Sequence, residues 1–249
     1  MRSKQQLLNQ QRTWAESVGL EVDARGYLDT VDANLLQPLS MRSKQSFENG
    51  SGSELQDTPS RPAKMKALHS SSALGVNVFD YWVDRDTSAL LSALGLDSGR
   101  LAAITFEAQF STGLKGNPPN LDVALEYLDG HVIGVESKFS EWLTPKSKNK
   151  KPFKPKYFSE TIGLWESKGL PKTQRLAEAM QMGEEFFRHL DAPQLLKHVL
   201  GMANQLGKQF SLYYIYYDCR GPESDVHRQE VKRFDDLVGD EARFKARSY

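Results

Sequence analysis

Apolar and polar positions alternate along three successive segments in the middle of the chain. Within residues 101–110 the apolar side chains fall on every second position, and the same period runs through 121–127 and 131–139. A period of two places alternate side chains on opposite faces of a β-strand. Asp129 and Gly130 separate the second and third segments and suit a two-residue type I′ turn. The pattern therefore predicts one strand followed by a β-hairpin.

The apolar spacing on either side of these strands changes to the three-to-four-residue period of a helix. The run at 210–217 is aromatic and β-branched, which favours a buried strand. Helices are predicted over residues 4–18, 69–82, 86–94, 176–190, 193–206 and 225–237. The sequence therefore predicts a mixed α/β fold with helices packed on a central sheet.

The segment from residue 40 to 62 differs in composition from the rest of the chain. Ser, Gly, Asn, Lys, Glu and Pro dominate it, and it has few apolar side chains. Such a composition buries too little apolar surface to form core, so we predict a long loop or partly mobile strap. The chain is accordingly divided into an N-terminal extension over 1–63, made of a short helix and this loop, and a core domain over 64–249.

The amino-acid composition excludes several classes of protein. A chain of 249 residues with 39% hydrophobic side chains is long and apolar enough for one sizeable core. The single cysteine, Cys219, excludes an intramolecular disulfide framework and a cysteine-based zinc cluster, and it fits a reducing compartment. No apolar run approaches the roughly 20 residues that span a bilayer, and residues 1–10 lack a secretory signal. We therefore expect a cytoplasmic protein with no membrane partner.

Two charged side chains interrupt the apolar pattern of the third predicted strand. Glu136 and Lys138 are two residues apart and share one face, whereas Ile133 and Val135 lie on the other. Charged groups in a central strand are costly unless they are paired or bind a metal ion. Asp122 lies on the partner strand of the hairpin, close enough to share a site with Glu136. We therefore predict Asp122, Glu136 and Lys138 as catalytic residues.

The residue types at this position favour metal-assisted hydrolysis of phosphodiesters. Asp122, Glu136 and the backbone carbonyl of Ser137 would supply hard oxygen ligands, which suit Mg²⁺ or Mn²⁺. Lys138 could orient or help deprotonate the attacking water and stabilise charge on the phosphorane. The alternative is a polar residue beside a turn at Asp122 and a solvated edge-strand pair at Glu136 and Lys138.

Four more residues are candidates for the same site. Glu107, on the polar face of the first strand, could supply a further catalytic carboxylate or hold a water, although a solvated strand face explains it too. Glu54 could reach a metal ion from the extension, or it could belong to a polar linker. Ser70 and Ser71 could donate to a nucleic-acid phosphate at a helix N-terminus, or simply cap that helix.

A basic stretch follows the third strand and is the strongest nucleic-acid signal outside the core motif. Its lysines could hold a phosphate backbone, with binding that weakens as salt rises, or form a solvated loop. Phe153, Tyr157 and Phe158 are interleaved or adjacent and could stack on bases. Because the formal net charge is zero, any nucleic-acid surface must be local. The lysines are Lys146, Lys148, Lys150, Lys151, Lys154 and Lys156.

Polar residues on the later helices carry weaker signals. Gln194, Lys197 and Gln205 lie on a helix that could cover the site, but no pattern singles them out. The five histidines, including His198, are scattered without the spacing of metal ligands. Ordinary polar or helix-end roles are therefore expected for them.

The residues of the hairpin resemble a known motif. Residues 120–122 followed by 135–138 are similar to the PD-(D/E)xK motif of restriction-endonuclease-like nucleases, although residues intervene between Pro119 and Asp122. The chain more closely resembles a bacterial family of uncharacterised restriction-endonuclease-like proteins within that superfamily, over most of its length. The shared features include residues 26–27, 33–36, 50–55, 64–74, 77–79 and 136–142.

The resemblance implies a fold and an activity. The fold would be a restriction-endonuclease-like core, with a mixed sheet of about four strands flanked by helices and a metal site where two strands fork. The activity would be Mg²⁺- or Mn²⁺-dependent hydrolysis of DNA, in restriction, defence or repair, and the resemblance alone implies a homodimer. The alternatives are a catalytically inactive nucleic-acid-binding or partner-binding module on the same fold, and a nuclease that acts on RNA.

Overall fold

A five-stranded sheet forms the centre of the computed structural model, which describes residues 3–50, 53–96, 99–148, 151–159 and 162–249. The strands lie side by side in chain order; the first three pair antiparallel and the last two join in parallel. The predicted mixed α/β fold is confirmed, with one strand more than the four expected. The strands are β1 (Leu101–Gln109), β2 (Asn120–Tyr127), β3 (Val132–Lys138), β4 (Phe210–Tyr216) and β5 (Lys245–Ser248).

Helices cover both faces of this sheet. The α-helices of the described residues are α1 (Ser3–Ser17), α2 (Met41–Asn49), α3 (Ser71–Phe79), α4 (Ser88–Leu94), α5 (Pro171–Met182), α6 (Ala192–Leu206) and α7 (Pro222–Val238). One face packs against α5, α6 and α7, and the other against α2, α3 and α4. Strand β3 is therefore buried on both sides. In the part of the chain that the structure describes, no helix has the length and apolar character to cross a bilayer.

Helix α2 lies inside the polar segment. The prediction of a long loop over 40–62 is therefore wrong for residues 41–49. Phe47 is buried against Phe106, with ring centroids 5.4 Å apart. Asp80 accepts hydrogen bonds from the Ser40 backbone and from the Ser40 and Ser43 hydroxyls, which ties the start of α2 to the end of α3. One buried aromatic side chain anchors this otherwise exposed polar helix, and a composition averaged over the segment hides it. The division at residue 63 stays a prediction.

The hairpin between β2 and β3 turns through three residues. The Tyr127 N–H donates to the His131 carbonyl at 2.8 Å, which leaves 128–130 in the loop. Gly130 has a φ of 85°, but Asp129 does not have a positive φ, and a type I′ turn requires both. The predicted hairpin is confirmed, and the predicted two-residue turn is wrong.

Helix α5 ends earlier than its apolar period indicates. Gly183 ends it with a φ of 82°, so Phe187 and Leu190, which the period assigns to the same helix, lie in the connection to α6. The Glu230 carboxylate on α7 is buried and accepts hydrogen bonds from the backbone N–H groups of residues 188–190. These bonds fix the connection directly before α6 begins.

Candidate functional site

The three residues of the motif meet at one point of the sheet. The pairing of β2 with β3 ends at Val123 and Val135, so Asp122 and Glu136 lie where the two strands diverge. The Ser137 N–H donates to Asp122 Oδ2 at 2.7 Å. Lys138 Nζ hydrogen-bonds Glu136 Oε1 and lies 3.9 Å from Asp122 Oδ2. The structure therefore brings Asp122, Glu136 and Lys138 together at a fork between strands.

Burial and charge act in opposite directions on these groups. Burial opposes ionisation of Glu136, but Lys138 and His198 outweigh it and lower its pKa to about 2. Burial, and then the charge of Glu136, raise the pKa of Asp122 well above its usual value. Burial also opposes the charge of Lys138, yet Glu136 and Asp122 raise its pKa well above normal. Lys138 is therefore an ammonium group at neutral pH, which favours charge stabilisation over a role as a base.

His198 is the site residue that the sequence analysis missed. Its side chain extends from α6, is buried, and places Nε2 3.0 Å from Glu136 Oε2. Lys138 therefore lies beside one carboxylate oxygen of Glu136 and His198 beside the other. The sequence did contain a signal for this residue: His198 is a polar residue on the apolar face of α6, which it shares with Leu195 and Met202. A titratable side chain on a buried face needs a polar partner.

Glu107 lies next to the fork, where a further catalytic carboxylate would have to be. The register of β1 with β2 places it opposite Asp122, and the Asn120 side-chain amide donates to its Oε2. Burial is the main cause of its raised pKa, and the charges of Glu54 and Glu136 act in the same direction. Its φ is 51°, a left-handed conformation that is costly for a residue with a β-carbon.

A cleft of about 680 Å³ opens beside the fork. Asp122 and Glu107 line it from the strands, and Glu54 and Ser71 line it from the segment that precedes and begins α3. Glu54 is buried, pairs with Lys64 and accepts a hydrogen bond from Ser72 at 3.0 Å, so it is not part of a free linker. Ser70 caps α3 by accepting from the Ala73 N–H at 3.2 Å. The further lining residues include Tyr27, Arg61, Lys64, His69, Ser70, Ser72, Asn120, Glu141 and Gln194.

The basic stretch lies beyond β3, and none of its described lysines lines this cleft. Lys146 pairs with Asp191 at 2.7 Å, and Lys156 donates to the Lys115 carbonyl. Lys148, Lys151 and Lys154 are exposed, whereas Lys150 lies outside the described residues. Three exposed lysines of the stretch are thus available to a ligand, whereas Lys146 and Lys156 already make contacts within the protein.

The aromatic residues of the basic stretch belong to the core. Phe153 and Tyr157 are buried, with ring centroids 5.7 and 5.9 Å from that of Trp165. Phe158 packs against the same core cluster. The prediction that they stack on bases is wrong for Phe153 and Tyr157, because both rings are buried, and it stays a prediction for the half-buried Phe158.

A divalent metal ion would find suitable donors here, although not a preformed centre. Among residues 3–50, 53–96, 99–148, 151–159 and 162–249, no group of three or more His, Cys, Asp and Glu stands ready to hold an ion. Glu107 and Asp122 nevertheless line the cleft with raised pKa values, because burial and neighbouring carboxylates disfavour their charge. A divalent cation would offset that cost, and carboxylates are ligands that Mg²⁺ accepts. The donor set therefore fits such an ion.

Comparison with known proteins identifies a family. No curated protein and no solved structure matches the chain. One family model matches residues 5–249, and its description is restriction endonuclease associating with ARP. The match confirms the restriction-endonuclease-like resemblance of the sequence and agrees with the mixed, helix-flanked sheet. The chain belongs to this family, REase-ARP.

Proposed function

We propose that this protein is a metal-dependent nuclease that hydrolyses phosphodiester bonds in DNA, in restriction, defence or repair. The observation that carries the proposal is the convergence of Asp122, Glu136 and Lys138 at the fork, beside a cleft that Asp122 lines. Membership of a restriction-endonuclease family supports a nuclease-like role.

Each residue at the fork has a separate role in the proposed reaction. Asp122, Glu136 and the Ser137 carbonyl would hold Mg²⁺ or Mn²⁺, which when bound supplies Lewis-acid activation of water and of the scissile phosphate. Lys138 stays protonated and stabilises the negative charge that develops on the phosphoryl oxygens. The Ser137 N–H orients Asp122, and His198 holds Glu136 from the other side. Glu107 adds a carboxylate on the cleft wall.

Residues outside the cleft would bind the DNA backbone and a protein partner. We propose that the exposed Lys148, Lys151 and Lys154 bind the phosphate backbone, with affinity that falls as salt rises. The family description names an association with ARP, and we propose that this chain acts with such a partner. A homodimer and a cytoplasmic location stay predictions.

The first test is cleavage with and without metal. Wild-type protein is expected to cut DNA with Mg²⁺ or Mn²⁺ and to lose this activity in EDTA, because the carboxylates need a cation. A Glu136→Ala, Lys138→Ala double variant is expected to be inactive with either metal. Supercoiled plasmid, linear duplex, single-stranded DNA and RNA, incubated in parallel, define the substrate. Salt-sensitive binding without any cutting would overturn the proposal and support the binding-module alternative.

His198 should act as a positioning residue for Glu136. We expect His198→Ala to raise the Mg²⁺ concentration for half-maximal cleavage about tenfold, since partners of metal-ligating groups have effects of about 10- to 100-fold. His198→Gln keeps a donor and should lie between this variant and wild type. His131→Gln, at the other end of β3, is the matched control. An unchanged metal requirement in His198→Ala would contradict the role.

A further inference from the structure

Strand β3 loses one of its two neighbours at the point where it carries the candidate site. Its pairing with β2 ends at Val135, whereas its pairing with β4 continues to Lys138. The backbone ladder therefore holds residues 136–138 from the β4 side only. Ser137 lies in this stretch, and its N–H donates to Asp122 Oδ2 at 2.7 Å. Any further contact that holds Ser137 therefore bears on the orientation of Asp122.

Tyr249 makes such a contact from two strands away. Strand β5 lies beside β4, and the Tyr249 N–H donates to the Tyr216 carbonyl at 3.0 Å. From there the side chain extends past β4 to β3, where the Tyr249 and Ser137 hydroxyls share a hydrogen bond of 2.6 Å. A residue beside the edge of the sheet thus holds a residue of the fork.

The two hydroxyls are enclosed by the fold. Ser137 is 1% exposed, and a Cβ added to Gly75 of α3 would lie 3.8 Å from Ser137 Oγ. Tyr249 as a whole residue is 38% exposed, but burial is the main cause of the raised pKa of its hydroxyl, and the charge of Asp122 acts in the same direction. A buried hydroxyl is costly to leave without its partner, so this bond restricts Ser137.

The same bond could serve only to hold β5 at the edge of the sheet. All four residues of β5 are exposed, so side-chain packing contributes little to its position. A role confined to β5 would affect the stability of the fold and leave metal binding unchanged. Metal affinity therefore distinguishes the two roles.

We propose that Tyr249 is a positioning residue of the metal centre. Through its hydrogen bond it fixes Ser137, whose N–H orients Asp122 and whose carbonyl would bind the cation. Tyr249 does not line the cleft, so it acts through Ser137 and not on the substrate. The proposal rests on the nuclease function proposed above and concerns the same site.

Metal binding can be measured without cleavage. The probe is Mn²⁺ alone, titrated into the full chain while electron paramagnetic resonance follows the free ion. Tyr249→Phe keeps the ring and removes the hydroxyl, and we expect it to weaken Mn²⁺ binding about tenfold, since partners of metal-ligating groups have effects of about 10- to 100-fold. Tyr213→Phe removes a hydroxyl from β4 away from the fork and should bind Mn²⁺ as wild type does.

Ser137→Ala tests the same bond from its other end. It keeps the backbone N–H and carbonyl and removes only the hydroxyl, so we expect the same loss of affinity. A Tyr249→Phe, Ser137→Ala double variant should bind no more weakly than either single variant, because one shared interaction can be lost only once. Circular dichroism checks that each variant is folded, and if Tyr249→Phe is not, Ser137→Ala alone decides.

The outcomes separate this role from the nuclease function. An unchanged Mn²⁺ affinity in Tyr249→Phe, with or without a lower melting temperature, would overturn the positioning role and leave the nuclease function standing. Losses that add up in the double variant would also overturn it, because the two side chains would then act independently. Wild-type protein that binds no Mn²⁺ would overturn the metal centre and this role with it. Weaker binding in both single variants, without cleavage of any nucleic acid by wild type, would support the role and overturn the nuclease function.

Discussion

Glu136→Gln is expected to lower the rate of metal-dependent cleavage by about 1,000-fold or more. The amide is nearly isosteric but has no charge, so Glu136 can no longer balance Lys138 or supply a carboxylate to a cation. Loss of one preorganised electrostatic group typically costs about 100- to 1,000-fold, and loss of a metal ligand adds to it. Single-turnover cleavage at saturating Mg²⁺ measures the effect on the chemical step.

A carboxylate of the same sheet provides the control for this variant. Glu126 is on β2 at the end remote from the fork and accepts a hydrogen bond from Thr105 at 3.1 Å. Glu126→Gln should cut at close to the wild-type rate. If Glu136→Gln cuts as fast as Glu126→Gln, the fork is not the catalytic centre.

Glu230→Ala is expected to lower the free energy of unfolding by about 3 kcal/mol or more. The carboxylate is buried and accepts from the backbone of residues 188–190, and each buried donor left without a partner costs about 1–3 kcal/mol. Urea denaturation followed by circular dichroism gives the difference. Glu230→Gln retains one acceptor oxygen and should lose less.

An exposed carboxylate on the same helix controls for the change of charge. Asp236→Ala on α7 is expected to stay within about 0.5 kcal/mol of wild type. A Glu230→Ala variant as stable as Asp236→Ala would show that the connection before α6 does not depend on these bonds.

The candidate site could be predicted from the sequence because local interactions place most of it. A period of two defines β2 and β3, and a short loop joins them, so the positions of Asp122, Glu136 and Lys138 follow from the pattern. The type of turn could be wrong without moving these residues, because the register depends on which faces are apolar.

The parts that the sequence did not reveal depend on distant partners. Strand β5 is polar and exposed, and it forms because its backbone extends the free edge of β4. Helix α2 is fixed by Phe47 packing on Phe106, and the role of His198 on α6 depends on its proximity to Glu136 on β3. A linear pattern does not contain these distances, so composition and spacing predicted a loop, no strand and an ordinary histidine.

The order of the strands determines when the site can become functional during synthesis. Glu136 and Lys138 leave the ribosome in a hairpin with Asp122, whereas His198 and β4 follow only after α5 has been made. Until then β3 has a free edge, and Glu136 lacks the side chain that lies 3.0 Å from its Oε2. Because the chain is synthesised from its N-terminus, a nascent chain carries these carboxylates before it carries the helix that positions them. The nuclease activity proposed above should therefore appear only once α6 has docked.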